Sequence, residues 1–434
     1  IRNQKILKRQ EKKNDDKNGK GETNMPEIKK VVSTLMYPAD RLKEVREIFD
    51  GSDFVQVSIS DSETLEKELK DADVALLPLD VDERFLGDNQ LKWIHCDHAG
   101  LNNSAKPEIF ERGIILTGAA GRSAPVLAEH CIYFMFLSCY HTRELMRAQD
   151  NCQWGVKGQD DWRGLYGRTA GIIGMGNNGR MLADRLHAFG MKIISYDRYE
   201  TKGYDYIERK LCGGNGDPID PLLEESDFII LCAALNDDTY HMLNAAAFAK
   251  MKDGVTVVNM SRGPLIDTPA LIDALNSGKV GCAGLDVFEE EPLLADNPLW
   301  HMENVYITPH VTPQVPDRTG RSIEILRENV RRYRAGEPML NQMRQTDVYQ
   351  ANGAQEVTGP FGIDNKVKDI MTDDATTRTL LDILEECRGM RQQKGALYMI
   401  SKYKVRQLFQ LMKIPTTEEK LAEYDRRLKD SYQK

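Results

Sequence analysis

From Lys29 onward, short β-branched runs alternate with stretches whose apolar residues recur at helical spacing. KKVVSTLM reads as a strand, DRLKEVREIF as a helix, DVALLPL as a strand and LKWIHCD as another, the βαβ rhythm of a parallel sheet. The longer apolar stretch SAPVLAEHCIYFMFLSCYHTREL reads as one mostly buried helix linking two units. A second series follows in RTAGIIGMGNNGRMLADRLHAFGMKIISYD, DFIILCAAL, GVTVVNMS, KVGCAGLDVF and NVYITPH. Its strand signals separated by helices predict a doubly wound nucleotide-binding fold. After ITPH, the segment DRTGRSIEILRENVRRYRAGEP predicts a helix stopped by Gly336 and Pro338.

The two ends differ from this pattern. Ile1 to Asn24 is polar and lysine-rich, too poor in apolar side chains to offset the entropy of ordering, and predicts a disordered leader without a function. From about Asn341 a polar, Gly-containing stretch precedes apolar residues at helical spacing (Leu380, Leu381, Leu384, then Leu408, Leu411, Met412). Thr416 and Glu419 supply a capping-box pattern for a last helix. The tail therefore predicts a linker and two or three helices of unknown role. The expected fold class is α/β, with two Rossmann-like doubly wound parallel-sheet domains separated by a cleft, plus an irregular helical C-terminal tail.

Composition narrows the chemistry. A chain of 434 residues exceeds a usual single domain. Its net charge of −9 argues against a nucleic-acid or anionic-membrane partner, because both require clustered Lys and Arg. The 8 cysteines are scattered without a CxxC pair and read as reduced thiols. The most apolar window, CIYFMFLSCY, is too short for a membrane span of roughly 20 residues. These features predict a soluble, cytoplasmic protein acting on a small molecule, with no metal site.

The first candidate site is GMGNNG, placed directly after AGIIG and directly before RMLADRLHAF. That position between strand and helix is what a dinucleotide fingerprint requires. Gly174 permits the tight turn, Gly176 lets the backbone approach a pyrophosphate, and Gly179 lets helix pack near strand. The N–H groups of Asn177 and Asn178 then point at phosphate from a helix N-terminus. Asp197 closes KIISYD, 23 residues after Gly174, where a carboxylate grips the ribose hydroxyls and repels a 2′-phosphate. NAD is expected over NADP, although the adjacent Arg198 could tolerate the extra phosphate.

The second candidate site is spread over NMSRG, GLDVFEEEP and ITPH, each following a β-type run. Each therefore lies at the carboxyl end of a parallel strand, where ligands bind in open α/β sheets. They bring together an arginine, a carboxylate and an imidazole. This trio suits reduction of an α-keto acid: a guanidinium holds the carboxylate, and a protonated imidazole donates to the carbonyl as hydride arrives. Periodicity does not choose among Glu289, Glu290 and Glu291.

GMGNNG with Asp197, NMSRGPLIDTPAL, AGLDVFEEEPL and the spacing to TPH resemble the D-isomer-specific 2-hydroxyacid dehydrogenase family, from about Ile28 to about Leu340. The resemblance implies Arg262 as binder of the substrate carboxylate and carbonyl, His310 as acid/base and Glu291 as the partner of His310. It leaves Glu289 and Glu290 as solvated acids. It further implies that Asp286 contacts the nicotinamide carboxamide, that Ala233, Ala234, Thr239 and Met260 line the cofactor, and that the amides of Ala99 and Gly100 hold the substrate carboxylate. Asn102 and Asn103 stand where the family often has an acidic residue after that glycine.

Family topology implies a substrate-binding (catalytic) domain from residues 25–125 and 310–340, an NAD-binding Rossmann domain from 126–309, and an appended tail from 341–434. The expected activity is NAD-dependent interconversion of a small D-2-hydroxy acid and its 2-keto acid. The alternative is an NAD(H)-sensing binding protein of the corepressor type with little turnover. Formate is disfavoured because such enzymes resemble a variant with glutamine at Glu291. Phosphoglycerate is disfavoured because only Arg84 near DVALLPLDVDERF offers a cation. The apolar helix from Ala124 to Tyr140 suggests a homodimer, and His130 on it reads as structural.

Overall fold

The computed structural model describes residues 27–311, 315–349, 359–389, 394–401 and 403–432, so the leader lies outside the described residues. Two all-parallel sheets organise the chain. The first contains β1 (Lys30–Ser33), β2 (Asp53–Gln56), β3 (Val74–Leu77), β4 (Trp93–Cys96) and β5 (Ile115–Gly118) in the order β2-β1-β3-β4-β5. The second contains β6 (Thr169–Ile173), β7 (Lys192–Asp197), β8 (Arg209–Cys212), β9 (Phe228–Leu231), β10 (Val255–Asn259), β11 (Val280–Leu285) and β12 (Val305–Ile307) in the order β12-β11-β10-β9-β6-β7-β8.

Both sheets are doubly wound, and each reverses its strand order beside its first strand. The interior strands VALL, WIHC, FIIL and VTVVN are buried along their whole length. Helices cover both faces of such a sheet, so these strands read as continuous apolar runs. DFVQ (β2) and RKLC (β8) escape that reading because they are partly exposed edge strands. The third strand absent from the apolar pattern, ILTG (β5), is also an edge.

The linking helix expected to run unbroken is two helices, Ala124–Cys139 and Thr142–Asp150, divided at His141, whose φ is 44°. A left-handed residue cannot continue a right-handed helix. The first of the two buries Cys131, Phe134 and Met135 against the second sheet and the helix Asn177–Ala188.

After β12 the chain crosses back. The helix Arg318–Ala335 lays Ile323, Leu326, Val330 and Tyr333 on the first sheet, where the Tyr333 ring stacks on Trp93 at 5.7 Å. Asn341 then accepts from the Gly118 N–H at 3.2 Å, along the edge at β5.

The C-terminal segment is richer than two or three helices. It contains Val367–Ile370, Asp374–Arg388, Lys394–Leu397, Val405–Leu411 and Glu418–Ser431, closed around its own core of Phe361, Ile370, Leu384, Leu408, Phe409 and Leu428. The two shortest are single turns, below the length at which helical periodicity can be read. The last helix is capped by Thr417, which accepts from the Lys420 N–H at 3.2 Å, one residue beyond the expected Thr416. Among the described residues no helix is long and apolar enough to cross a membrane.

Candidate active site

The Gly-rich turn lies at the switch point between β6 and β9. Gly174 has φ 98°, and a Cβ there would stand 2.5 Å from the Ala233 nitrogen at the exit of β9. Only glycine tolerates both that backbone and that approach. A Cβ on Gly179 would meet the Gly174 carbonyl at 2.0 Å, so the helix beginning at Asn177 packs directly on the turn. Gly176 has open space around it, and the N–H groups of Asn177 and Asn178 occupy the first turn, where no intrahelical acceptor exists. These features fit a dinucleotide pyrophosphate.

Asp197 ends β7 with Oδ2 accepting from the Met175 N–H at 2.6 Å and Oδ1 from the Tyr199 N–H at 2.8 Å. The carboxylate is thus fixed beside the turn, with lone pairs remaining for a diol. Arg198 is directed elsewhere, to Asp238 at 2.7 Å and Asp347 at 3.1 Å. Ala233 accepts from the Ser261 hydroxyl, and Ala234 from the Thr239 hydroxyl at 2.8 Å. Thr239 also accepts from the Asn236 N–H at 2.8 Å, so its hydroxyl holds the turn after β9. Met260 is buried at the exit of β10.

Neighbouring strands β10, β11 and β12 deliver the remaining residues. His310 follows β12 with φ 50°, an uncommon conformation outside glycine. Its N–H donates to the Asp286 carbonyl at 2.9 Å, and its Nδ1 faces Glu291 Oε2 at 2.6 Å. The other oxygen of Glu291 accepts from the Phe288 N–H at 3.0 Å.

Arg262 leaves β10 in a turn tied by Asn259, whose side-chain amide donates to the Arg262 carbonyl at 3.0 Å. Its guanidinium lies between the lobes: a Cβ on Gly100 would come within 1.6 Å of Nη2. Burial pushes its pKa down, while the nearby Glu291 and Asp80 favour the charge. Among the described residues the N–H groups of Ala99 and Gly100 donate to no protein acceptor, so both remain available to an anion. Asn102 donates to the Leu235 carbonyl at 2.9 Å, so the departure noted there ties this loop to the opposite lobe.

Asp286, which the resemblance implies as a nicotinamide contact, is almost wholly buried. Only 2% of it is exposed, and its Oδ1 accepts from the Thr308 hydroxyl at 2.6 Å and the Val311 N–H at 2.9 Å. Burial raises its pKa against the opposing effect of these donors. His130 lies behind it, with Nε2 3.2 Å from the Thr308 hydroxyl and the ring stacked on Phe134 at 4.8 Å. Burial lowers the pKa of His130, with Asp286 opposing. Thr308 therefore braces the segment carrying His310; its only sequence signal was a polar residue at the exit of a short apolar strand.

The two neighbouring glutamates stay open to solvent, but each has a partner. Glu289 Oε1 meets His241 Nε2 at 2.5 Å, and its Oε2 accepts from the Thr268 N–H at 3.0 Å. Glu290 pairs with Lys404 at 2.5 Å. These partners all come from distant segments. Among the described residues no group of three or more His, Cys, Asp or Glu side chains is placed to hold a metal.

Comparison with known proteins agrees with this geometry. Residues 132–312 match the sequence pattern of the D-isomer specific 2-hydroxyacid dehydrogenase, NAD binding domain. A glyoxylate reductase of Korarchaeum cryptofilum is 32% identical over 73% of this chain and 96% of its own length. A hydroxypyruvate reductase of Thermotoga maritima is 38% identical over 51% of this chain and 70% of its own. The crystal structure of a D-isomer specific 2-hydroxyacid dehydrogenase from Xanthobacter autotrophicus Py2, in complex with NADPH and MES, shares the fold with a TM-score of 0.59 at 24% identity, covering 74% of this chain and 98% of that one. With a relative matched along nearly its whole length, this chain belongs to the D-isomer specific 2-hydroxyacid dehydrogenase family.

Proposed function

We propose that this protein is an NAD-dependent oxidoreductase that interconverts a small D-2-hydroxy acid and its 2-keto acid, with His310 as the acid/base. The observation that carries this reading is the 2.6 Å pair of His310 Nδ1 and Glu291 Oε2, set beside the Arg262 guanidinium where Gly100 approaches it. The five-stranded unit, with residues 310–340, is the substrate-binding domain, and residues 126–309 form the NAD-binding domain.

In this reading Arg262 and the free N–H groups of Ala99 and Gly100 hold the substrate carboxylate, with Arg262 also polarising the carbonyl. Bound nicotinamide supplies the hydride that reaches C2. Glu291 holds Nδ1 and so the orientation of the ring, leaving Nε2 to give its proton to the carbonyl oxygen. Glyoxylate and hydroxypyruvate, the substrates named for the relatives, are the first candidates. A phosphorylated acid fits poorly, because the Arg84 guanidinium is already bound to Asp82 at 2.7 Å and the Ile59 carbonyl at 2.7 Å.

NAD is favoured over NADP by Asp197 and by the two carboxylates on Arg198. Asp197→Ala is expected to weaken NADH binding about 10- to 100-fold, the loss of a charge-assisted hydrogen bond, and to affect NADPH less. Fluorescence titration with both cofactors measures this; equal losses would remove the assignment. A homodimer is supported by the 51% exposure of Tyr133, Tyr140 and Met146 along the linking helices.

The test of the activity is NADH consumption with glyoxylate, hydroxypyruvate, pyruvate and 2-ketoisocaproate. Turnover on at least one is expected; tight NADH binding without turnover on any favours the NAD(H)-sensing alternative. The pH profile tests the pair itself. Reduction needs the protonated ring, so the rate is present below the profile's midpoint and lost above it. Glu291→Gln replaces the anion facing Nδ1 with a neutral amide and is expected to lower the midpoint of kcat/KM. An unmoved midpoint would show that another group partners the ring.

A further inference from the structure

The C-terminal helical module reaches the loop that carries Glu291. Lys404 Nζ pairs with Glu290 Oε1 at 2.5 Å, and Gln407 Nε2 donates to the Pro292 carbonyl at 3.3 Å. Those two contacts fall on the residues immediately before and after Glu291. Gln407 is only 2% exposed, and its other amide atom accepts from the Lys404 N–H at 2.9 Å, so the two residues form one rigid corner. The same module grips the opposite lobe, where the Arg84 guanidinium lies 4.0 Å over the Tyr398 ring.

A half-exposed ion pair is weak by itself. A buried amide is different, because loss of its partner leaves a polar group unsatisfied. With the loop fixed on both sides of Glu291, the carboxylate has little freedom to swing from His310. Within the loop itself Glu291 is held by the Phe288 N–H.

We propose that the helical module is a positioning element for the catalytic pair, in which Lys404 and Gln407 clamp Glu290 and Pro292 and so hold the Glu291 carboxylate on His310. This rests on the reading of His310 as acid/base. The charged groups facing the ring are Glu291 on its loop and Asp286 at the end of β11, and Glu291 in turn faces Arg262 at the end of β10, which has Asp80 nearby. From the module, Lys404 and Lys366 face Glu290.

Charge and position make opposite predictions for Lys404. Loss of its cation, acting through space alone, leaves Glu290 unbalanced and moves protonation of the ring to higher pH. Loss of its grip loosens Glu291 and moves protonation to lower pH. Gln407→Met changes no charge and isolates the positional effect.

The experiment uses the full chain saturated with NADH. The titration midpoint of the His310 ring is followed by NMR with 15N-labelled histidine, assigned by its loss in His310→Gln, and the midpoint of kcat/KM is measured alongside. Lys404→Met and Gln407→Met are each expected to lower both midpoints by about half a unit or more, with Lys404→Arg near wild type and NADH affinity retained. A rise or no change in Lys404→Met overturns the proposal, as does a wild-type midpoint in Gln407→Met. The NMR midpoint reads positioning whether or not His310 is the acid/base; failure of that reading shows separately, as undiminished kcat in His310→Gln.

Discussion

Replacing His310 with glutamine is expected to lower kcat about 10²- to 10⁴-fold, the usual contribution of a positioned acid/base. That loss corresponds to about 3–5 kcal/mol of transition-state stabilisation. NADH binding is expected to stay nearly unchanged, because the cofactor turn at Gly174 and the Asp197 carboxylate belong to β6 and β7, away from the β12 exit. The glutamine can still fill the space beside Glu291, but cannot carry the proton. Steady-state kinetics with an NADH titration decides it, and an unchanged kcat would remove His310 from the chemistry.

Arg262→Gln is expected to have a comparable effect for a different reason. The guanidinium is partly buried where Gly100 approaches it and compensates Glu291 and Asp80. Truncating one member of a desolvated charged group costs about 2–5 kcal/mol, roughly 30- to 5,000-fold in kcat/KM. The substrate also loses the planar fork that binds its carboxylate, so Arg262→Lys, which keeps the charge but not the fork, is expected to recover little. Wild-type kcat/KM in Arg262→Lys would mean that the carboxylate is held by the Ala99 and Gly100 amides without the fork.

The parts of this site that were legible share one property: they sit at strand exits within a few residues of an apolar run. Gly174, Arg262 and His310 follow β6, β10 and β12 by that rule. The edge strands β2 and β8 were not legible, because they are partly exposed and lack the continuous burial that makes an interior strand apolar; β5 is mostly buried, and its short run ILTG was passed over. Glu289 and Glu290 stay open to solvent, but their partners were not legible, because a run of like charge carries no mark of them. The partner of Glu290 lies 114 residues away on the C-terminal module, and that of Glu289 is a histidine 48 residues earlier. Local pattern shows which face of the helix Val405–Leu411 is buried, but not that Gln407 is buried against Pro292.

Thr308 and Asp286 show the same limit inside the site. The resemblance implied Asp286 as a cofactor contact; what the sequence did not show is that its Oδ1 also accepts from the Thr308 hydroxyl and the Val311 N–H. Its place in the fold supports the backbone of His310, whose own N–H donates to the Asp286 carbonyl.

Transfer of deuterium from NADH deuterated at both C4 positions, to the 2-keto acid of fastest turnover among those whose hydroxy acid is chiral (hydroxypyruvate, pyruvate, 2-ketoisocaproate), follows the proposed hydride directly. The expected product is the D-2-hydroxy acid with deuterium at C2. An L-configured product, or a hydroxy acid without deuterium, would contradict hydride delivery across the Arg262–His310 site.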